Sequence, residues 1–274
     1  MRLAISNIAW TAQEDEDVYA LMRKYGYTGL EIAPTRFFEG SPYDDLDVVR
    51  AWREDFAKNE SFAIPSMQSI WFGRTEKLFA DKSQRQVLSA YTKKAIDFAE
   101  AVWCANLVFG SPKNRVLPEH SDKELWQQGI AFFKELGDYA CARNTAVSME
   151  ANPPIYQTNY INTTQEAFAL IKEVASEGFL LNLDIGTMIE NKEAVETLEG
   201  NAGLIHHVHI SEPFLKPIAV ANSDRRQFHS ELSAFLKENN YQGYVSVEMG
   251  KTDDGFDRLS MIDEILAYGK EIFG

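Results

Sequence analysis

Short runs of apolar residues alternate with longer amphipathic stretches along the whole chain. Eight runs have the length and composition of β-strands. They cover residues 3–7, 29–32, 62–68, 105–109, 146–150, 179–183, 205–210 and 244–248. Helical spacing of apolar positions separates them, at residues 15–25, 45–58, 83–102, 122–143, 163–174, 226–238 and 257–272, and more weakly at 192–198. This alternation predicts parallel strands joined by right-handed crossovers.

Eight strand-helix units most simply close into a barrel. We therefore predict an α/β fold, a single-domain (β/α)8 TIM barrel over residues 1–274. Strands such as residues 180–183 are apolar at nearly every position, which is typical of strands covered on both faces. The alternative is an open doubly wound sheet with a glycine-rich turn after its first strand. Here that turn reads Asn7-Ile8-Ala9-Trp10-Thr11, so the pattern favours the barrel.

Four predicted strands end in a side chain that can bind a metal. Glu150, Asp184, His209 and Glu248 end the fifth, sixth, seventh and eighth strands. Barrel strands carry the active site at their C-terminal ends, so side chains from neighbouring strands are expected to meet there. Three carboxylates at one point repel each other unless a cation neutralises them. For any single acid a helix cap or loop salt bridge is the simpler explanation, but four such residues on consecutive strands favour a metal site.

The ligand types constrain the metal and its chemistry. An oxygen-rich set without thiolates favours Mn²⁺ or Mg²⁺, and the imidazole leaves Co²⁺ and Zn²⁺ open. Glu150 and Glu248 could act as base and acid on opposite faces of a substrate, next to a carbonyl that the metal polarises. The same arrangement permits epimerisation, isomerisation or dehydration.

These strand ends resemble the xylose-isomerase-like TIM barrels, a family of sugar phosphate isomerases/epimerases that includes ketose 3-epimerases and hydroxypyruvate isomerase. The resemblance spans nearly the whole chain and is most specific at residues 148–153 (SMEANP), 183–186 (LDIG), 207–213 (HVHISEP) and 243–248 (GYVSVE). It implies that the Glu, Asp, His and Glu at the strand ends bind a metal and that the two glutamates are acid and base. Ketose 3-epimerases usually carry a substrate-contacting His where this chain has Thr187, which weakens that particular assignment.

Several other side chains near strand ends are candidates for substrate binding. They are Trp10, Gln68, Lys113, Asn114, Asn152 and His229. Trp10 or Trp71 could stack on a sugar ring, or could simply be a buried aromatic at the barrel rim. Lys113 and Arg115 could hold a carboxylate or phosphate, or could be a surface loop pair. His207 is expected to pack or to support the metal ligands rather than to bind the metal.

Composition limits the partners. Lys and Arg total 27 against 41 Asp and Glu, a net charge of −14, which repels a phosphate backbone, so no nucleic acid is expected. Cys104 and Cys141 lack metal-type spacing, and the chain opens directly into a strand pattern, which predicts a cytoplasmic protein. No apolar stretch approaches the roughly 18 residues that would cross a membrane. The expected partner is a small sugar or sugar acid, and a homo-oligomer remains open.

The leading hypothesis is a metal-dependent isomerase or epimerase that acts on a small sugar or sugar derivative through an enediolate. A metal-dependent dehydratase or lyase on a polyol or keto acid is one alternative, and a non-catalytic sugar-binding barrel is another. Apurinic endonucleases share the barrel, but they need a three-metal cluster rich in histidine, and this acidic chain has only five histidines.

Overall fold

The computed structural model describes residues 1–119, 123–252 and 257–274. The strands are β1 Arg2–Ser6, β2 Gly29–Glu31, β3 Asn106–Phe109, β4 Ala146–Glu150, β5 Phe179–Asp184, β6 Ile205–Ile210 and β7 Tyr244–Val247. The helices are α1 Asp15–Tyr25, α2 Leu46–Asn59, α3 Lys82–Ala101, α4 Lys123–Cys141, α5 Thr164–Val174, α6 Ile185–Asn191, α7 Ser223–Glu238 and α8 Arg258–Phe273. Residue 122, the predicted start of the fourth helix, lies outside the described residues.

The seven strands form one parallel sheet in the order β2-β1-β7-β6-β5-β4-β3. The sheet is curled, and helices lie between its successive strands along the chain, an arrangement that is consistent with a TIM barrel. Its register sets neighbours at the C-terminal edge, because Glu150 pairs with Asn182 and Asp184 pairs with His209. Strand ends that are far apart in sequence therefore lie side by side.

The predicted strand at residues 62–68 is not a regular strand. Instead, isolated parallel bridges join Ala63 to Gly29, and Met67 to both Ile32 and Leu107. Pro65 lies between the two bridging positions and has no amide hydrogen to donate, so the ladder is interrupted there. The segment nonetheless connects β2 to β3, and the prediction of eight regular strands was wrong at this one element.

The helix after β5 was also misplaced by the sequence pattern. We expected it at residues 192–198, where the structure has only a 3-10 turn, Val195–Leu198. The helix α6 instead begins immediately after the strand, because Asp184 caps it and accepts a hydrogen bond from the amide of Thr187 at 2.6 Å. Asp184 is thus both the last residue of β5 and the N-cap of α6.

The interior is apolar, with polar side chains concentrated near the strand ends. Leu107, Val147, Leu181, Val208 and Val245 are at most 1% exposed. Burying a side chain of this kind stabilises the fold by about 2 kcal/mol. Within the part of the chain that the structure describes, no helix combines the length and apolar character needed to cross a membrane.

Candidate metal and active site

The structure brings the four predicted metal ligands together. Glu150, Asp184, His209 and Glu248 each offer one ligand atom, and these atoms lie within 4.8 Å of one another. Nδ1 of His209 is 3.2 Å from Oε1 of Glu150 and 3.2 Å from Oε2 of Glu248. They meet because β4 to β7 are adjacent parallel strands whose C-terminal ends share one edge of the sheet.

Asp184 takes part in two interactions at once. Its Oδ1 caps α6, as described above, and its Oδ2 accepts a hydrogen bond from the hydroxyl of Ser211. The helix-cap explanation therefore holds for this acid, yet the carboxylate still lies in the cluster. Thr187, at the position where a substrate-contacting His was considered, is buried and donates its hydroxyl to the carbonyl of Ala151 at 2.7 Å.

Crowding of the acids perturbs their protonation. Burial raises the pKa of Asp184 to about 6, and the charge of Glu150 acts in the same direction. Burial likewise raises the pKa of Glu248 to about 7, although the positive charge of His209 opposes this shift. Burial alone would lower the pKa of His209, but the charges of Glu248 and Glu31 raise it well above its usual value. Three carboxylates and an imidazole in this state fit a divalent cation, which would relieve the repulsion.

A cavity of about 210 Å³ opens beside the cluster. Its wall combines three of the cluster's carboxylates with other polar groups and a few apolar side chains. The polar residues that line it include Gln68, Ser69, Ser111, Asn152, Ser211 and Glu212, and the apolar residues include Val108, Pro112, Tyr156 and Leu215. Two of the predicted substrate-binding residues, Gln68 and Asn152, are therefore in position to contact a bound molecule.

Glu150 is held in place by amide and guanidinium groups. Asn182 donates to its Oε1 at 2.8 Å, and Asn152 donates to its Oε2 at 3.1 Å. Arg115 is fully buried, and its Nη2 donates to the backbone carbonyl of Glu150 and to Oδ1 of Asn152. Arg115 thus braces the end of β4 and does not line the cavity among the described residues. The sequence pattern gave no role to Asn182, because an amide inside an apolar strand has no distinctive spacing.

Trp10 and His229 lie apart from this cavity in the described structure. Trp10 is only 2% exposed, and its indole N–H donates to Asp15 at 2.7 Å. His229 is buried on α7, where its Nδ1 is 2.8 Å from the hydroxyl of Tyr268, and burial lowers its pKa to about 4. Neither residue is among those that line the cavity, so their predicted contact with substrate has no geometric support.

The loop that follows β3 uses its polar residues mainly for its own structure. Lys113 is exposed, and its carbonyl accepts from Nζ of Lys77 at 2.8 Å. The side chain of Asn114 donates to the carbonyls of Arg74 and Glu76. Neither residue belongs to the cavity wall as far as the chain is described. Their predicted role in binding the substrate remains an expectation from sequence alone.

A second group of metal-ligand type lies deeper in the structure. Glu31, His207 and His209 also offer ligand atoms within 4.8 Å of one another, and all three side chains are buried. Burial alone would raise the pKa of Glu31, yet the positive charge of His209 holds it well below its usual range. The sequence signal for Glu31 was a single acid within the apolar run of residues 29–32, which indicated a polar position but no partner.

Among curated proteins, the chain is similar to a sugar epimerase over part of its length. An L-ribulose 3-epimerase from Methylomonas sp. (strain DH-1) is 27% identical over 132 residues, which is 48% of this chain and 44% of that protein. The matched region thus spans less than half of that relative.

Solved structures match over nearly the whole chain. A D-psicose 3-epimerase crystallised in the presence of D-fructose has a TM-score of 0.79 at 16% identity, covering 100% of both chains. An AP endonuclease, family 2, from Brucella melitensis has a TM-score of 0.72 at 19% identity, covering 96% of this chain and 97% of that one. At these identities the similarity shows the fold and does not separate the two activities.

The family model decides the family. The model described as the xylose isomerase-like TIM barrel matches residues 19–271. That range includes all four clustered ligands and every strand except β1. The chain therefore belongs to the xylose isomerase-like TIM barrel family.

Proposed function

We propose that this protein is a divalent-metal-dependent epimerase or isomerase that acts on a small, neutral sugar. The observation that carries the proposal is the pair of carboxylates, Glu150 and Glu248, that line a cavity and each lie 3.2 Å from Nδ1 of His209. The similarity to an L-ribulose 3-epimerase supports the same chemistry. A dehydratase or lyase would use the same cluster, but no contact in the described structure favours it.

The cluster would hold the metal through Glu150, Asp184, His209 and Glu248. Bound there, a divalent cation supplies positive charge beside the substrate's carbonyl and hydroxyl oxygens, which makes the adjacent C–H more acidic. The remaining steps belong to the protein. Asn152 and Asn182 fix the carboxylate of Glu150 by two hydrogen bonds, so its orientation toward a bound sugar is set in advance.

Proton transfer by the two glutamates accounts for both epimerisation and isomerisation. One glutamate removes the proton from the carbon next to the carbonyl, becomes a carboxylic acid and leaves an enediolate. If the other glutamate, already protonated, donates to the same carbon from the opposite face, the configuration inverts. If the first glutamate instead returns its proton to the neighbouring carbon, and the hydroxyl proton passes from one oxygen of the enediolate to the other, the carbonyl moves. In the protein without metal, burial raises the pKa of Glu248 to about 7, and a bound cation would lower it by favouring the carboxylate.

The cavity wall indicates a neutral substrate. Among the described residues that line it there is no Lys, Arg or His. Glu212 lines it, but both oxygens of that carboxylate accept from Nε of Arg225 at 3.0 Å. The volume, about 210 Å³, is below the roughly 300–1,000 Å³ typical of sites for drug-sized ligands. A single unphosphorylated monosaccharide matches both the charge and the size.

We expect phosphorylated and acidic sugars to be poor substrates. Like charges facing each other cost several kcal/mol, so kcat/KM for a sugar phosphate should be at least about 10²-fold below that for the neutral sugar. Steady-state kinetics on matched pairs of sugars measure this ratio. Lys113→Ala should leave kcat/KM unchanged for both sugars, because Lys113 is exposed and does not line the described cavity. A preference for the phosphate that Lys113→Ala removes would contradict the proposal.

Adding a methyl group at Gly110 should displace Glu150. A Cβ at Gly110 would lie 2.8 Å from Oε2 of Glu150, and Gly110 is not a position with positive φ. Gly110→Ala should therefore move the carboxylate while the fold persists, and a misplacement of about 1 Å costs about 10²-fold in kcat. Kinetics and thermal unfolding test both parts. Gly203→Ala is the control, because an added Cβ there meets nothing within 4 Å. An unchanged kcat in Gly110→Ala would argue against a catalytic role for Glu150.

Solvent exchange tests the reaction itself. The metal-loaded protein is incubated with a panel of neutral ketoses in D₂O, and the products are analysed by NMR. The proposal expects deuterium at the carbon next to the carbonyl in an epimer or isomer. Ultraviolet absorption from a conjugated enone, with no exchange into recovered sugar, would instead identify a dehydratase. Sugar binding that is indifferent to a chelator and produces neither signal would identify a non-catalytic barrel.

A further inference from the structure

We propose that Glu31 is a positioning residue that fixes the ring of His209 so that Nδ1 is free to bind the metal. This inference rests on the proposed function insofar as it takes His209 to be a metal ligand. Glu31 itself is outside the set of four ligands and outside the cavity wall among the described residues. Its effect on the metal would therefore be exerted through His209, which is the one ligand of the cluster that it contacts.

The two ring nitrogens of His209 face different groups. Nε2 is 2.9 Å from Oε2 of Glu31. Nδ1 is 3.2 Å from oxygens of both Glu150 and Glu248, and it is also 3.2 Å from the amide nitrogen of Asn182, which can donate to its lone pair. Glu31 comes from β2 and His209 from β6, so the contact connects two strands that are not neighbours in the sheet. Both side chains have no exposed surface, so water does not compete for this hydrogen bond.

The chemistry of the two groups assigns the proton. A metal-bound neutral imidazole carries one N–H and offers one lone pair. An ionised carboxylate can only accept a hydrogen bond, so the nitrogen that faces Glu31 must be the one that keeps its hydrogen. The lone pair of His209 is thereby directed from Nδ1 toward the carboxylate cluster. A carboxylate partner of this kind also raises the basicity of the imidazole as a ligand.

Glu31 is itself held rigidly. Its Oε1 accepts from Nε2 of Gln68 at 3.0 Å, and the same nitrogen donates to the hydroxyl of Ser6 at 2.7 Å. His207 contributes less, because its Nε2 lies 3.0 Å from Oε2 of Glu31 without a well-aligned hydrogen bond. The two oxygens of Glu31 thus have separate partners, Gln68 on one side and His209 on the other.

This arrangement also indicates that the deeper group of possible metal ligands does not bind a second metal. Glu31, His207 and His209 are close enough to hold a cation, but a second metal there would need the lone pair of Nε2 on His209. That nitrogen carries the proton shared with Glu31. The protein is therefore expected to bind one catalytic divalent ion, in the cluster of Glu150, Asp184, His209 and Glu248. The deeper group supports this site by orienting His209.

The variant Glu31→Gln tests the role directly. Gln68 and His209 face different oxygens of Glu31, so in the variant one of these two donors meets the NH₂ group of the amide instead of an acceptor. We expect the affinity for Mn²⁺, measured by calorimetric titration of metal-free protein, to fall about 10- to 100-fold with one ion still bound per chain. Thermal unfolding without metal checks that the variant is folded. Wild-type affinity in the folded variant would overturn the proposal.

His207→Gln is the matched control, because it removes a neighbour of the same oxygen without touching the metal cluster. Its Mn²⁺ affinity should stay near that of the wild type. If the wild type binds two ions and His207→Gln binds one, the deeper group is a metal site and the proposal fails.

A measurement on the wild type is independent of how the variants fold. In the protein loaded with diamagnetic Zn²⁺, long-range ¹H–¹⁵N NMR should show His209 protonated at Nε2. Protonation at Nδ1 would overturn the proposal. Metal binding that depends on Glu31 without any turnover of sugars would refute the proposed function alone, whereas turnover with no dependence of metal affinity on Glu31 would refute only this inference.

Discussion

Replacing Glu150 or Glu248 by glutamine is expected to lower kcat by about 10²- to 10⁴-fold, the range typical of a lost general acid or base. An amide can neither remove the proton next to the carbonyl nor return one. The two substitutions should also differ in solvent exchange. The variant that lacks the base should incorporate no deuterium, whereas the variant that lacks only the acid should still exchange the substrate's own proton, without inversion.

The control for these substitutions is Glu212→Gln. Glu212 lines the same cavity, but it is paired with Arg225 and does not belong to the ligand cluster. We expect a much smaller loss of kcat from this variant. Full activity in both Glu150→Gln and Glu248→Gln would remove the basis for the proposed mechanism.

Stripping the metal should abolish turnover, with a loss above about 10²-fold because the cation contributes several kcal/mol to charge stabilisation. Added Mn²⁺ or Mg²⁺ should restore it. The affinity for the metal is expected to increase with pH, since the ligands must first lose protons. Burial raises the pKa of Asp184 to about 6 and that of Glu248 to about 7, so protons on these two groups compete with the metal up to about pH 7. The proton of His209, whose pKa is also raised by the neighbouring carboxylates, competes as well. Titrations across this range measure the effect.

The same pKa shifts determine how Asp184 and Glu248 change the stability of the metal-free protein as the pH rises. A carboxyl group whose pKa is raised in the folded protein contributes stability that is present below its unfolded value, near 4, and is lost as the pH rises through the folded value. The contribution of Asp184 and Glu248 to the stability of the metal-free protein should therefore fall between about pH 4 and pH 7, whereas His229, whose pKa burial lowers to about 4, acts in the opposite direction over the same window. Thermal unfolding with and without chelator should show metal stabilisation that grows over that window. Stabilisation that is independent of pH would place the metal elsewhere.

The strand ends were predictable from sequence because each follows from local pattern. An apolar run that finishes in Glu150, Asp184 or Glu248 is visible without knowledge of the fold, and parallel topology then brings the ends together. Helix boundaries that depend on a single N-cap residue were harder to predict from the sequence. Asp184 starts α6 at once, although the apolar spacing pointed several residues further along.

Long-range partners could not be predicted in the same way. Glu31 and His209 are 178 positions apart, and nothing in the run of residues 29–32 indicates which side chain would meet the acid. Arg115 is a second example. The sequence left open whether it binds an anion or belongs to a surface loop, whereas in the structure it is buried and donates to the backbone of Glu150 and to Asn152. Orientation of a loop side chain is decided by packing, which single-sequence patterns do not contain.

The interrupted ladder at residues 62–68 affects more than the strand count. Pro65 has no amide hydrogen to donate, and the segment joins the sheet's two edges through backbone hydrogen bonds of Ala63, Ser66, Met67 and Gln68. Gln68, the anchor of Glu31, is one of these residues. The segment that joins the two edges of the sheet therefore also anchors Glu31, so a local opening of this segment would first disturb the orientation of the imidazole of His209.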